Sequence, residues 1–174
     1  MDVPTEITPV PGDFNRHEEI NFVSQEVGWA IMDSGATRTV CGEAIWDKLN
    51  SYLTMRGMEA EISKDPRDFR FGDGVTVCSQ FCARTPVCVG KVWRDLVIHV
   101  LPGHTPLLLA RPDLENWNVM VNYGKKLVYV DGVEIKLIMS PNGHYMINIF
   151  DDLNNILHAE NLYYKATVSD ETEV

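Results

Sequence analysis

Residues 29–40 read WAIMDSGATRTV, an apolar run from Trp29 to Met32 that leads straight into Asp33 and then Ser34, Gly35, Ala36 and Thr37. A carboxylate at the end of an apolar strand is costly unless it is paired, hydrogen-bonded or open to a cleft. The residues that follow suit that need. Ser34 sets a hydroxyl beside the carboxylate, Gly35 permits a tight turn with backbone close to it, and Ala36 leaves room. Asp-Ser-Gly alone is a weak signal, arising by chance in about one chain in ten, and a plain turn at a strand end is its other reading. The rest of the chain decides between the two.

The 174 residues, 45% of them apolar, suit one ordinary domain with a sizeable core. With 25 acidic against 15 basic residues the formal net charge is -10, which argues against a nucleic-acid partner. No apolar run approaches the roughly 20 residues of a membrane helix, and the opening MDVPTEITPVPGDF lacks the basic start and apolar middle of a secretory signal. The expectation is a cytoplasmic chain with no membrane partner. Cys41, Cys78, Cys82 and Cys88 then read as reduced thiols in or near a core. Three of them cluster ahead of His99 and His104, but no C-x-x-C pair is present, so neither a metal nor a cofactor is expected.

Residues 1–20, with Pro4, Pro9, Pro11 and Gly12 among polar residues, read as a flexible arm or linker. Residues 21–150 change to short β-branched and aromatic segments: NFVSQEV, WAIMD, FRFGDGVTV, TPVCVGKVW, DLVIHVLP, PLLLA, NVMVNYG, KLVYVDG, VEIKLIM and HYMINIF. Separated by Gly, Pro and Asn, they predict a mainly β domain. EAIWDKLNSYL, residues 43–53, breaks the rule with Ile45, Leu49, Tyr52 and Leu53 at helical spacing. A second short helix is expected in RPDLENWN, with Pro112 in its first turn. FGDGVT and YVDGVE read as β-turns, and Trp29, Trp46, Trp93 and Trp117 as core or interface aromatics. Residues 151–174 form an acidic, amide-rich tail, its last six residues disordered and Leu153, Ile156 and Leu157 suiting one apolar turn of helix.

The apolar approach to Asp33, the small residue after Gly35, the TVCG that follows, FRFGDG, LLLARPDL and the closing GHYMINI together resemble the retropepsin-like aspartic proteases, and are most similar to those of LTR retrotransposons. The likeness spans Val27 to Ile149. It implies a retropepsin-like closed β-barrel, the half-lobe of an acid protease, with one or two short helices and assembled as a two-fold homodimer. Asp33 would be the catalytic carboxylate, with Ser34, Gly35, Ala36 and Thr37 supporting the active-site loop. Phe71, Gly72, Asp73 and Gly74 would form a substrate-binding flap, and Leu109, Ala110 and Arg111 the segment before the second helix. Ala110 stands where the family has glycine, and Thr37 where it has the acid that pairs with the arginine. Arg111 is therefore expected to turn to Asp113 or to a carboxylate of a substrate or neighbour.

Hydrolysis of this kind needs two carboxylates sharing a proton, one neutral and one ionised. The chain offers one such motif, so the economical arrangement is a homodimer with both Asp33 side chains on the two-fold axis. Their protons titrate as a pair. The resulting expectation is an aspartic endopeptidase that processes a retroelement polyprotein, its own release included, in the cytoplasm or within retroelement particles. Its substrate would be an extended polypeptide strand held under the flaps. The alternatives are a retropepsin-like dimerisation or peptide-binding module with weak or no proteolysis, and a metal-dependent hydrolase using Asp33 with the histidines.

Overall fold

The computed structural model describes residues 27–151, so the expected arm, NFVSQEV up to Glu26 and the acidic tail beyond Asp151 lie outside the described residues. Between them run β1 (Trp29–Asp33), β2 (Val40–Gly42), α1 (Glu43–Met55), β3 (Glu61–Ser63), β4 (Asp68–Arg70), β5 (Thr76–Cys78) and β6 (Phe81–Val89). There follow β7 (Val92–Leu101), β8 (Leu108–Ala110), α2 (Arg111–Asn116), β9 (Val119–Asn122), β10 (Leu127–Val130), β11 (Val133–Ile135), β12 (Leu137–Met139) and β13 (Tyr145–Asn148). The class is mainly β with two short helices, as the segment pattern predicts.

Eight strands form the principal sheet in the order β12-β13-β1-β8-β2-β7-β6-β3, while β11-β10-β9 and β4-β5 make two smaller sheets. The long β6–β7 hairpin closes on Gly90 and Lys91, both at positive φ, which matches the right-handed twist of the strands it joins. Asp131 and Gly132 do the same between β10 and β11, the turn expected of YVDGVE. VEIKLIM, read as one segment, divides at Lys136: β11 completes the small sheet, whereas Leu137 begins a ladder with β13. The expected closed barrel is not what the ladders form. Among the described residues none joins β12 to β3, and these edge strands, three residues each, leave the sheet open.

Helix α1 runs two residues beyond the predicted stretch, because its end is set by a Gly57 in the left-handed region: the Gly57 amide reaches Thr54 and the Met58 amide reaches Leu53. Ile45, Trp46, Leu49 and Leu53 are buried on its inner face, Trp46 edge-on to Phe81 and the half-buried Tyr52 stacked on Phe150. They join Val87, Leu96, Ile98, Leu109, Trp117 and Ile147 in the larger of two buried clusters, the smaller being Trp29, Ile31 and Met146. Trp29 is buried too, but Trp93 is 53% exposed on β7, contrary to the core reading. None of the four cysteines forms a disulfide, and Cys41, Cys82 and Cys88 are buried as expected. Cys78 is not: it lies exposed on β5, in a two-stranded sheet with too few layers to cover it.

Candidate active site

Asp33 is the last residue of β1, a strand hydrogen-bonded on both sides. Ile31, Met32 and Asp33 run parallel to Leu108, Leu109 and Ala110 of β8, and Trp29 to Ile31 run antiparallel to β13. The chain must leave the sheet there, and the carboxylate organises the departure. Its Oδ1 accepts the Gly35 amide at 3.0 Å, while the Ala36 amide donates to the Asp33 carbonyl at 3.1 Å. A Cβ on Gly35 would stand 3.3 Å from that same Oδ1, so glycine is what lets the backbone come this close.

The far end of the loop is tied down from beneath. The Ala36 carbonyl accepts the Arg111 amide at 3.1 Å. Buried Thr39 accepts the Ala110 amide at 3.0 Å and donates its hydroxyl to Asp113 Oδ2 at 2.5 Å. Burial pushes the Asp113 carboxyl up from its ordinary range, and the Thr39 hydrogen bond partly offsets this. Ala110 itself has φ -76 and ψ 155, extended backbone open to any residue, so the position makes no demand for glycine.

FRFGDGVTV forms the expected hairpin. Its strands β4 and β5 pair Asp68 with Cys78 and Arg70 with Thr76. The Phe71 amide donates to Val75 and the Gly74 amide to Phe71, leaving Gly72, Asp73 and Gly74 as a three-residue loop with Gly74 at φ +82. Asp73 fixes its own turn by accepting the Val75 amide at 2.9 Å. At the hairpin's base the Phe69 ring packs 5.4 Å from that of buried His99, whose Nδ1 has no hydrogen-bond partner. Burial, then Arg38 and Arg67, lower the His99 pKa, with Asp65 acting the other way.

Hairpin tip and aspartate share one cleft of about 760 Å³. Asp33, Ile31 and Met32 line it from β1, and Phe71, Gly72 and Asp73 from the hairpin. Thus the structure brings together four of the residues singled out from the sequence. Ser34 and Thr37 are instead exposed beside the loop, Leu109 and Ala110 are buried, and Gly74 is not among the lining residues. Arg111 departs from expectation: its Nε lies 3.5 Å from Glu115 Oε1, both side chains exposed, and Asp113 turns to Thr39.

Other parts of the cleft went unread. His104, Thr105 and Pro106 contribute from the β7–β8 loop, Leu108 from β8 and His144 from the β12–β13 loop. Thr39 and its hydroxyl network were also missed; the only signal was a hydroxyl residue between two apolar strands. Among the described residues no group of three His, Cys, Asp or Glu side chains is placed to hold a metal ion.

The sequence matches no family model and no curated protein. In structure the chain is distantly similar to the retroviral protease-like domain of Ddi1 from Leishmania major, with a TM-score of 0.42 and 17% sequence identity over 62% of this chain and 88% of that one.

Proposed function

We propose that the chain is one subunit of a retropepsin-type aspartic endopeptidase, completed by a second copy of itself. The observation that carries the reading is the shared cleft: a carboxylate oriented by the Gly35 amide lines the same hollow as the tip of a glycine-rich hairpin. Asp73, the other carboxylate there, is held by its own turn. The second acid of a proton-sharing pair is therefore Asp33 of the other copy.

In this assembly a water between the two carboxylates gives a proton to the ionised one and attacks the peptide carbonyl. The neutral partner protonates the carbonyl oxygen. The substrate lies extended under the hairpins, its backbone bonded as an added strand, with apolar side chains against Ile31, Met32 and Leu108. No metal or cofactor takes part. The sequence resemblance supplies the substrate class, a retroelement polyprotein that includes the protein's own flanks.

Asp33→Asn tests the reading. Processing of a polyprotein fragment spanning those flanks, followed on gels, should slow by about a thousandfold. Equal processing by wild type and variant would overturn it. A wild type that binds the fragment without cutting it would leave a peptide-binding module in its place.

A further inference from the structure

The β7–β8 loop reaches the cleft by crossing over a glycine. In the principal sheet β2 lies between β7 and β8, running parallel to the one and antiparallel to the other, so the chain from Leu101 to Leu108 must pass over the end of β2. That end is Gly42, level with Leu101. Three hydrogen bonds hold the crossing down. The Gly42 amide donates to the Thr105 carbonyl at 2.7 Å, the Ala44 amide to the Gly103 carbonyl at 3.2 Å and the Ile31 amide to the Leu107 carbonyl at 2.8 Å. Helix α1 begins here without a side-chain cap, Gly42 standing at the position that Ser, Thr, Asp or Asn usually fill. The Gly103 carbonyl takes the place of that cap on one of the first-turn amides.

The backbone of Gly42 makes no demand for glycine: φ is -75 and ψ 158, extended and open to any residue. The demand comes from space. A Cβ on Gly42 would stand 2.5 Å from the Gly103 carbonyl oxygen and from the Thr105 nitrogen, and 2.8 Å from the Gly103 carbonyl carbon, all of them backbone atoms. His104, Thr105 and Pro106, carried on that same stretch of chain, line the cleft that holds Asp33. We propose that Gly42 is a positioning residue for substrate: its missing side chain lets the loop lie against β2, and so sets where His104, Thr105 and Pro106 meet a bound peptide. This rests on reading the cleft as the peptide-binding site. Gly42 is buried and does not itself line the cleft, so it acts only through the loop. An alanine there lifts the loop by about 1 Å to restore ordinary van der Waals contact. The hydrogen bonds that orient Asp33 come from Gly35 and Ala36 and do not involve Gly42. Selectivity between peptides therefore moves while the carboxylate keeps its place, and a misfit of one methylene in an apolar pocket changes selectivity about tenfold or more.

The test takes one peptide from the fragment that spans the chain's flanks, varies it one position at a time between Ala and Leu, and reads the Leu-to-Ala ratio of kcat/KM at each position. His104→Ala, an exposed change in the loop, marks the peptide position that the loop faces. At that position Gly42→Ala should alter the ratio by about fivefold or more, and elsewhere by less than about twofold. Ala44→Pro removes another amide that holds the loop, at a first-turn position where proline is tolerated. It should alter the ratio at the same position, and it serves where Gly42→Ala does not fold. Variants slowed by one common factor on every peptide would reduce Gly42 to a structural role and overturn the proposal. Ratios that match wild type, or a His104→Ala variant that marks no position, would do the same. Affinities of the same peptides for Asp33→Asn protein, with and without Gly42→Ala, read the loop without hydrolysis. Affinity ratios that shift with Gly42→Ala, in a protein whose wild type cuts no peptide, remove the protease reading and keep the positioning; hydrolysis with unmoved ratios does the reverse. A wild type that neither cuts nor binds the peptide overturns both.

Discussion

Thr39 joins three segments with one side chain and its own backbone. Its hydroxyl accepts a hydrogen bond from the Ala110 amide and donates one to Asp113, and its carbonyl accepts the His99 amide at 2.9 Å. The family resemblance had offered Asp113 as one of the partners open to Arg111, and helix geometry explains why it is not. Residues two apart on a helix do not share a face, whereas residues four apart do, so Arg111 meets Glu115 and Asp113 points inward to Thr39. The position of Asp113 has a consequence for stability. Its folded pKa is raised, burial being the larger cause, so the native state binds this proton more readily than the unfolded chain does. The associated stability is full below the unfolded pKa and is lost as pH rises through the folded one. Asp113→Asn keeps an acceptor for Thr39 and cannot ionise. It should unfold at higher urea than wild type at pH 7, and the difference should close as the pH is lowered to 3. A variant less stable at both pH values would show that the carboxylate, and not merely an acceptor, is needed there.

At the scale of elements, what could be read from the sequence was local. FRFGDGVTV announces its hairpin by alternation around Gly72-Asp73-Gly74, and EAIWDKLNSYL its helix by spacing; both form as read. The neighbours of β1 could not be read this way. That β13 and β8 flank it depends on pairings between segments far apart in the chain, for which no single segment carries a signal, so Met146 and Leu108 went unnoticed on either side of Ile31. The hairpin also shows how separable the elements are: β4 and β5 form their own sheet, outside the eight-stranded one. Gly74 closes its turn at φ +82 with nothing within 4 Å of where a Cβ would stand. Gly74→Ala therefore meets only a backbone cost of about 1 kcal/mol, confined to the hairpin. KM for a peptide should rise severalfold with kcat less affected, and the urea midpoint of the domain should hardly move. A lowered midpoint with KM unchanged would place the hairpin's turn in the cooperative core and not in substrate binding.

At the scale of the whole molecule, the sequence yielded the mainly β class and the carboxylate on which the proposed function turns, because apolar periodicity and a loop motif are written in consecutive residues. The openness of the sheet was not legible, since it turns on which strands end up at the edges. The proposed second copy would complete the site that Asp33 begins, and its contribution can be measured without knowing the interface. If each active unit takes one Asp33 from each of two chains, an Asp33→Asn subunit withdraws a wild-type partner from service by pairing with it. After exchange in an equal mixture, half of the wild-type subunits should sit in mixed pairs, and activity per wild-type subunit should fall to about half. Further excess of the variant should drive it toward zero, while the same excess of an unrelated protein leaves it alone. The wild-type chain carries a formal net charge of -10 and the variant one negative charge fewer, so the two repel one another and moderate salt will favour the pairing on which the exchange depends. Activity that stays proportional to wild-type chain at every ratio, under conditions where labelled subunits are seen to exchange, would mean that one chain completes the site by itself.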